Sequence, residues 1–302
     1  EEGEKQAEAI KKEKLLEAKE ENHKQVTRIK KKRLRPWAFY LFTTIFLVGV
    51  IISSIQLYNW NNDNKKIGKL NKEIEEITDI TPIKDEGELI NPPKVTDEKN
   101  DYWYFVEQPF YNVDFTKLSE KNDDTIAFIH MPNSNINYPI VQTTNNEYYL
   151  THAFDKSYNS AGWVFMDYEN LINFQSDNTI IYGHGRLDKT VFGSLKNALD
   201  KTWQENLENY VIWISTPNEN LVYQIFSIYT IDKESYYIKP SFSSTKEKQD
   251  WIKTMKSRNI TNQDTPVDEN DKILTLSTCL NNNGGRIVVQ AKLIKVQKRQ
   301  TQ

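Results

Sequence analysis

Residues Lys272 to Val296 read KILTLSTCLNNNGGRIVVQAKLIKV, and the rest of the chain is best understood outward from them. Cys279, the only cysteine, ends an apolar run rich in β-branched residues, and a second such run begins at Arg286 after a turn of Asn and Gly. β-Branched residues favour extended structure, and an Asn/Gly cluster between two extended runs indicates a short connection. The stretch predicts two strands that hold a thiol and a guanidinium at one loop, a candidate nucleophile and a candidate anion stabiliser.

Six more runs of aromatic and β-branched residues precede this stretch, and turn signals such as MPNS and TPNEN separate them. They are residues 125–129, 136–141, 162–166, 178–182, 210–215 and 221–231. Helical patterns are confined to short pieces such as 191–199 and 245–258. With the two runs around Cys279 the total is eight strands. This pattern predicts a mainly β domain, a barrel or a sandwich, and disfavours a doubly wound parallel sheet.

Composition narrows the class of protein without naming a function. The chain has 302 residues, of which 38% are hydrophobic and 27% charged, values ordinary for a folded protein with one large or two modest domains. The formal net charge is −3, and the only dense basic cluster flanks an apolar segment near the start of the chain. Both features argue against nucleic acid as a partner.

That apolar segment predicts a membrane span. Residues 1–35 are charged and polar and end in the basic run KKKRLR, and no charged residue then follows until Asp63. A helix needs roughly 20 apolar residues to cross a bilayer, and Trp and Tyr near both ends of residues 36–60 are typical interfacial anchors. A cleaved signal peptide is the alternative, but its apolar region is shorter and ends in a small-residue cleavage site. The basic run predicts a cytoplasmic tail over 1–35 and an extracellular remainder.

Residues 61–100 are interpreted as an extracellular helix and stalk. Ile67, Leu70, Ile74 and Ile77 recur at helical spacing, and a segment with three prolines follows them. The apolar positions are too few for a coiled coil, so the helix either packs on the following domain or pairs with another chain. The catalytic candidates all lie beyond it, in a domain predicted over 101–302.

A lone cysteine in an exported domain has no intramolecular disulfide partner, so Cys279 is buried, paired with another chain, or used chemically. Activation of a thiol needs a base or a positive neighbour. His184 is the best-placed histidine, because it directly follows an apolar strand and lies between two glycines that allow a tight turn. His130 and His152 are interpreted as surface or hydrogen-bonded histidines. His23, in the charged tail, has no neighbours at metal-ligand spacing.

The segments NTIIYGHGRLDKTVFGSLKNAL and TLSTC, with the downstream RIVV, resemble the sortase family, and the LSTC and FGSL elements resemble class B. NINYPIVQTTNNEYYLTHAFD and SAGWVFMDYEN are similar to the same class, so the resemblance covers residues 101–296. It implies an eight-stranded β-barrel transpeptidase, anchored in the membrane of a Gram-positive bacterium, that attaches exported proteins to the cell wall. The implied partners are secreted proteins with a C-terminal sorting motif of the NPxT type, and an acceptor amine from a peptidoglycan precursor or a pilin.

The resemblance also implies residue roles. Cys279 is the nucleophile that forms a thioacyl intermediate, His184 the general acid and base, and Arg286 the donor that stabilises substrate and oxyanion; no metal or organic cofactor is required. Ser277 is implied to contact substrate, and Thr278 and Tyr237 are weaker candidates, since Tyr237 is equally well interpreted as a core aromatic.

Two departures from the family pattern concern His184. Gly185 stands where many relatives have Asn, and the loop between Cys279 and Arg286 has no carboxylate. We therefore name no acidic third residue; Asp167 and Asp188 are nearest in sequence, and both are predicted to be surface carboxylates. Alternatives to a transpeptidase are a thiol protease that transfers the acyl group to water, and a non-enzymatic surface scaffold in which Cys279 is only buried.

Overall fold

The computed structural model describes residues 2–27, 36–78, 80–84, 87–93, 101–232, 234–279 and 284–299. The chain divides into two compact units, residues 1–59 and 60–302. The first contains helix α1 (Glu2–Thr27) and the initial part of helix α2 (Pro36–Ile77), which continues into the second unit. In the described part of the chain α2 is the one helix long and apolar enough to cross a membrane.

The second unit is built mainly of strands. They are β1 (Ile80–Ile83), β2 (Glu88–Leu89), β3 (Phe110–Val113), β4 (Thr125–His130), β5 (Asn137–Val141), β6 (Phe165–Met166), β7 (Asn178–Tyr182), β8 (Val211–Ser215), β9 (Glu219–Ile231), β10 (Ile273–Cys279) and β11 (Arg286–Lys298). The helices are α3 (Tyr102–Val106), α4 (Thr116–Lys121), α5 (Lys201–Glu205) and α6 (Thr245–Ser257), with 3-10 turns at Tyr148–Leu150, Gly193–Leu199 and Leu207–Tyr210.

Eight strands form a closed barrel. Their order is β10-β7-β6-β5-β4-β8-β9-β11, and the antiparallel pairing of β10 with β11 closes the ring. Most neighbours are antiparallel, whereas β5 with β6 and β7 with β10 are parallel. The prediction of eight strands in a barrel is confirmed, and each predicted run contributes one of them. Closure removes the free sheet edges that an open sheet would expose.

Two apolar clusters pack on opposite faces of strands β10 and β11. Leu274, Leu276 and Val289 join the large cluster inside the barrel. Ile273 and Val288, one residue out of phase, join a smaller cluster that α6 covers on the outside. Successive side chains of a strand point to opposite faces, so strands that pack on both faces have few exposed residues. Polar residues that are buried here, such as Thr275 and Gln290, bond to each other across the pair.

Residues 60–100 belong to the same unit as the barrel. Ile67, Leu70 and Ile74 of α2 are buried in the main core, so of the two predicted possibilities the structure shows the helix packed on the domain. Beyond it lies the segment predicted to be a stalk, and its described parts are paired: β1 is antiparallel to β3, and β2 is antiparallel to the end of β11. Proline is tolerated in such short edge strands, as Pro82 is in β1.

Candidate active site

Strands β7, β10 and β11 bring the three predicted catalytic residues to one edge of the barrel. In the parallel pair, Ser277 of β10 lies opposite Tyr182, the last residue of β7. The N–H of Gly183 then donates to the carbonyl of Ser277 at 3.3 Å, which carries the pairing one residue further. His184 comes next on this side and Cys279 ends β10 on the other, so adjacent strand ends hold both residues.

Cys279 and Arg286 are direct cross-strand partners in the antiparallel pair of β10 and β11. Alternation along β11 puts Arg286 on the outer face of the barrel, the face of Val288 and the outer cluster. The side chain of Cys279 and residues 280–283 lie outside what the structure describes.

The ring of His184 is held by backbone on one side. Its Nε2 lies 2.8 Å from the carbonyl oxygen of Leu150. A carbonyl only accepts hydrogen bonds, so Nε2 carries the proton, and in the neutral ring Nδ1 is the free acceptor. Gly162 touches the same ring: a Cβ at this position would lie 2.8 Å from His184 Cδ2 and 2.6 Å from the carbonyl oxygen of Tyr149. Gly162 also has a φ of +60°, so both the lack of space for a Cβ and the backbone conformation favour glycine at this position.

The turn after His184 is fixed by ionic hydrogen bonds. The Arg186 Nη2 donates to Asp188 Oδ2 at 2.7 Å, and its Nε donates to Thr190 Oγ1 at 2.8 Å. Burial raises the pKa of Asp188, but hydrogen bonds from Arg186 and Thr190 outweigh that and hold the pKa below its usual range. The carbonyl of His184 accepts from the N–H of Arg186 at 3.0 Å, so the turn closes back on the histidine.

The guanidinium of Arg286 is oriented by its own loop. Its Nη1 donates to the carbonyl oxygens of Gly284 at 3.0 Å and Gly285 at 3.3 Å. A guanidinium presents its N–H donors in a planar fork, so bonds from one nitrogen fix the plane of the others. The arrangement can direct N–H groups towards an anion or a developing negative charge beside Cys279.

The predicted substrate contacts are buried. Tyr237 is 1% exposed and belongs to the outer cluster, and its hydroxyl lies 2.8 Å from Ser277 Oγ, which is also buried. Thr278 is buried as well, and its Oγ1 has no hydrogen-bond partner in the described part of the chain. Of the two interpretations of Tyr237, the structure matches the core aromatic. Ser277 is two residues before Cys279 on β10, so this buried pair lies near the end of the strand that carries the cysteine.

Neither carboxylate near His184 in sequence bonds to its ring among the described residues. The prediction that Asp167 is a surface carboxylate is wrong: it is 1% exposed, because its Oδ2 accepts from the hydroxyl of Tyr182 at 2.8 Å and from Asn146 Nδ2 at 2.9 Å. Its carboxylate raises the pKa of Tyr182, an effect added to the larger one of burial. Asp188 is partly exposed and paired with Arg186.

The other two histidines of the domain have structural contacts. His130 packs between Tyr111 and Trp213 and bonds to Asn137, and burial lowers its pKa. His152 stacks on Tyr148 with ring centroids 4.0 Å apart. In the described residues there is no group of three or more His, Cys, Asp or Glu that could hold a metal ion.

Sequence reasoning missed the two groups that hold the His184 ring. The Leu150 carbonyl is backbone, which no residue type reveals. A glycine within a predicted strand indicates a close approach of another chain segment. Gly162 was instead assigned to the predicted strand 162–166, so this indication was missed. The strand begins only at Phe165, because Gly162 closes a turn in the left-handed region.

Comparison with known proteins agrees with this architecture. A family model for the sortase domain matches residues 129–294. Sortase B of Staphylococcus aureus is 31% identical over 219 residues, 72% of this chain and 88% of that protein. Sortase B from B. anthracis in complex with AAEK1 superposes with a TM-score of 0.60 at 31% identity, covering 77% of this chain and 98% of that one.

Two further solved structures carry informative ligands. A Staphylococcus aureus sortase B–substrate complex gives a TM-score of 0.56 at 32% identity and covers 60% of this chain and 84% of that one. Sortase B complexed with Gly3 gives 0.57 at 32% identity, with 60% and 85% covered. The matched domain holds the closed barrel and the edge at which β7, β10 and β11 meet. The chain therefore belongs to the sortase family and is similar within it to class B.

Proposed function

We propose that this sortase is a cysteine transpeptidase that cleaves a C-terminal sorting motif of the NPxT type and transfers the secreted protein to a cell-wall amine. One observation carries the proposal: Cys279 and Arg286 are cross-strand partners, and the end of the strand that leads to His184 is hydrogen-bonded beside them. Backbone pairing thus brings a cysteine, a histidine and an arginine to one edge, which supports their assignment as nucleophile, proton carrier and anion stabiliser. Acyl transfer requires these three functions.

In the first half-reaction Nδ1 of His184 accepts the thiol proton of Cys279, and the resulting thiolate attacks the carbonyl carbon of the motif's Thr. The carbonyl oxygen gains negative charge, and N–H groups of Arg286 stabilise it. As the peptide C–N bond breaks, His184 donates a proton to the leaving amine, and the Thr carbonyl stays on sulfur as a thioester. The hydrogen bond to Leu150 keeps the proton on Nε2, so Nδ1 is the position that exchanges protons with the reacting groups.

In the second half-reaction an amine attacks the thioester. His184 takes the proton from the attacking nitrogen, the C–S bond breaks, and the thiolate of Cys279 is restored with the new amide released. A substrate complex and a Gly3 complex of related sortases support a peptide donor and an amine acceptor for this chain too. The acceptor is an amine of a peptidoglycan precursor or of a pilin.

Residues 36–60 anchor this enzyme in the membrane in a single pass, with residues 1–35 in the cytoplasm and the barrel outside. The apolar length of α2 and the basic run before it support this placement. Secreted proteins and wall precursors would both meet the barrel on that side.

The test is peptide cleavage by the full chain in detergent micelles. An Asn-Pro-x-Thr peptide is incubated with and without a triglycine acceptor, and products are identified by mass spectrometry. Ligation to triglycine supports transpeptidation, and hydrolysis with no ligated product would favour the thiol protease. No product, together with a thiol that resists alkylation in the folded protein, would contradict both enzymatic functions and favour a scaffold.

A further inference from the structure

Two consecutive residues of α2 hold both chain segments that lie beside the His184 ring. Asp63 and Asn64 are the first polar residues of the helix that turn towards the barrel, three and four positions after Trp60. Asp63 binds the turn that ends at Gly162, and Asn64 binds the turn that follows His184. Neither contact belongs to the apolar packing that attaches the helix to the domain.

The contact at Asp63 fixes the turn that carries Gly162. Asp63 Oδ2 accepts from Ser160 Oγ at 2.7 Å and from the Ser160 N–H at 3.3 Å, and the Asp63 carbonyl accepts from Asn159 Nδ2 at 3.2 Å. Asn159 is buried, and its carbonyl accepts from the N–H of Gly162 at 3.0 Å. A shift of this turn therefore moves the wall against which the His184 ring rests.

The contact at Asn64 fixes the other side. Asn64 Oδ1 accepts from Arg186 Nη2, the nitrogen that also binds Asp188. The Arg186 side chain is 11% exposed, so this bond forms largely away from water. The backbone N–H of Arg186 donates to the carbonyl of His184, so the residue that Asn64 holds by its side chain is also bonded to the histidine backbone.

The helix itself is a firm support for these contacts. Ile67, Leu70 and Ile74 follow Asp63 along the face that packs on the barrel, and all three are buried in the main core. A helix rises about 1.5 Å per residue, so Asp63 lies only one turn from the first of these anchors. The polar contacts of Asp63 and Asn64 therefore attach the two turns to a part of the helix that is held firmly on the barrel.

We propose that Asp63 and Asn64 are positioning residues for His184: they hold the imidazole between Leu150 and Gly162 in the orientation in which Nδ1 serves proton transfer. The inference rests on the proposed role of His184 as general acid and base. It assigns to the segment directly after the apolar stretch a part in catalysis as well as in attachment. Small displacements of a catalytic group cost rate and leave substrate binding largely intact.

The variants Asp63→Ala and Asn64→Leu test this in the full chain in detergent micelles. Each removes an acceptor, and kcat for peptide cleavage should fall about 10- to 100-fold with KM nearly unchanged. Asp63→Asn and Asn64→Asp keep an acceptor oxygen and should recover most of the rate. Asn62→Ala, an exposed neighbour on the same helix, is the matched control and should match the wild type.

The variant Ile74→Ala distinguishes a loss of stability from a loss of His184 positioning, because it weakens the packing of the same helix and leaves both turn contacts in place. It should lower the melting temperature more than Asp63→Ala does and leave kcat near that of the wild type at 25 °C. Equal losses of kcat in Ile74→Ala and Asp63→Ala would reduce the two contacts to general stabilisation and overturn the inference.

A readout that needs no turnover completes the test. Deuterium exchange at the imidazole C2 proton, followed by mass spectrometry, reports each histidine separately. Exchange at His184 should become faster in Asp63→Ala and Asn64→Leu, and exchange at His130 should not change. An unaltered His184 in both variants would refute the positioning role. A wild type that cleaves no peptide would refute the proposed function, and the exchange measurement would still decide the position of the ring.

Discussion

At the scale of single residues, each of the three candidate catalytic residues has a contact or a strand pairing that fixes its position at the edge of the barrel. His184 has its proton placed on Nε2 by a carbonyl, and Arg286 has its plane set by Gly284 and Gly285. Cys279 has Arg286 as its cross-strand partner. These relations are geometric, so substitutions that keep charge but change shape are informative.

Replacement of Arg286 by Lys tests shape against charge. Lys keeps the charge but not the planar fork of donors, so we expect kcat/KM for peptide cleavage to fall by about 10²-fold. We expect Arg286→Ala and Cys279→Ala to abolish turnover while the protein stays folded. Lys298→Ala, which removes an exposed cation at the far end of β11, is the control and should keep full activity. Near-normal turnover of Arg286→Ala or Cys279→Ala would contradict the assigned roles.

His130 makes stability depend on pH. Burial lowers its pKa below the ordinary value of about 6.5, and its bond with Asn137 opposes this only in part. As pH falls, the unfolded chain therefore binds a proton at His130 before the folded protein does. The contribution of neutral His130 to the free energy of unfolding is complete above the unfolded pKa of about 6.5 and is lost as pH falls from there through the folded pKa. Melting temperatures from pH 8 to 5 should fall less steeply for His130→Gln than for the wild type; parallel profiles would show that His130 is not the cause.

At the scale of elements, β10 connects the core to the candidate site. Leu274 and Leu276 point into the barrel, and Ile273 and Ser277 point out towards the cluster beneath α6. The hydrogen bond between Ser277 and Tyr237 attaches the end of β10 to the segment before α6, two residues from Cys279. A polar pair in an otherwise apolar layer fixes the position of a strand more specifically than apolar contact does.

This pair predicts a coupling between two substitutions. Tyr237→Phe leaves the buried Ser277 hydroxyl without this partner and should lower the free energy of unfolding by about 1–3 kcal/mol. The double variant Tyr237→Phe with Ser277→Ala removes both polar groups and should cost less than the sum of the two single changes. Urea unfolding measures all four proteins, and strictly additive costs would show that the two hydroxyls do not interact.

At the scale of the whole molecule, the two units differ in how their apolar side chains are exposed. Large apolar side chains of the first part of α2 are exposed one after another, Phe46 at 68% and Leu57 at 66%, whereas most apolar residues of the barrel are buried. A contiguous exposed apolar surface of this size is typical of a segment that contacts lipid.

The proposed topology can be tested with single cysteines, because Cys279→Ala leaves a chain with no thiol. In this background Lys298→Cys and Glu13→Cys place one thiol at exposed positions in the barrel and in α1. A membrane-impermeant maleimide should label Lys298→Cys on intact protoplasts, and Glu13→Cys only after permeabilisation. The reverse pattern would place the barrel in the cytoplasm.

The sequence by itself determined the eight strands, the apolar helix and the identity of His184, Cys279 and Arg286 as candidates, because hydrophobic period, turn residues and rare reactive side chains are local properties. Tertiary structure alone decided that Tyr237 and Ser277 are a buried pair, that Asp167 is buried beneath Tyr182, and that the predicted stalk contains paired strands. It also decided what holds His184. The Leu150 carbonyl accepts from its ring, Gly162 packs against the ring, and the Arg186 N–H donates to its backbone carbonyl. Backbone groups leave no mark on residue type, and the glycine reveals a close approach without revealing its partner, so the contacts themselves depend on how distant segments fold together.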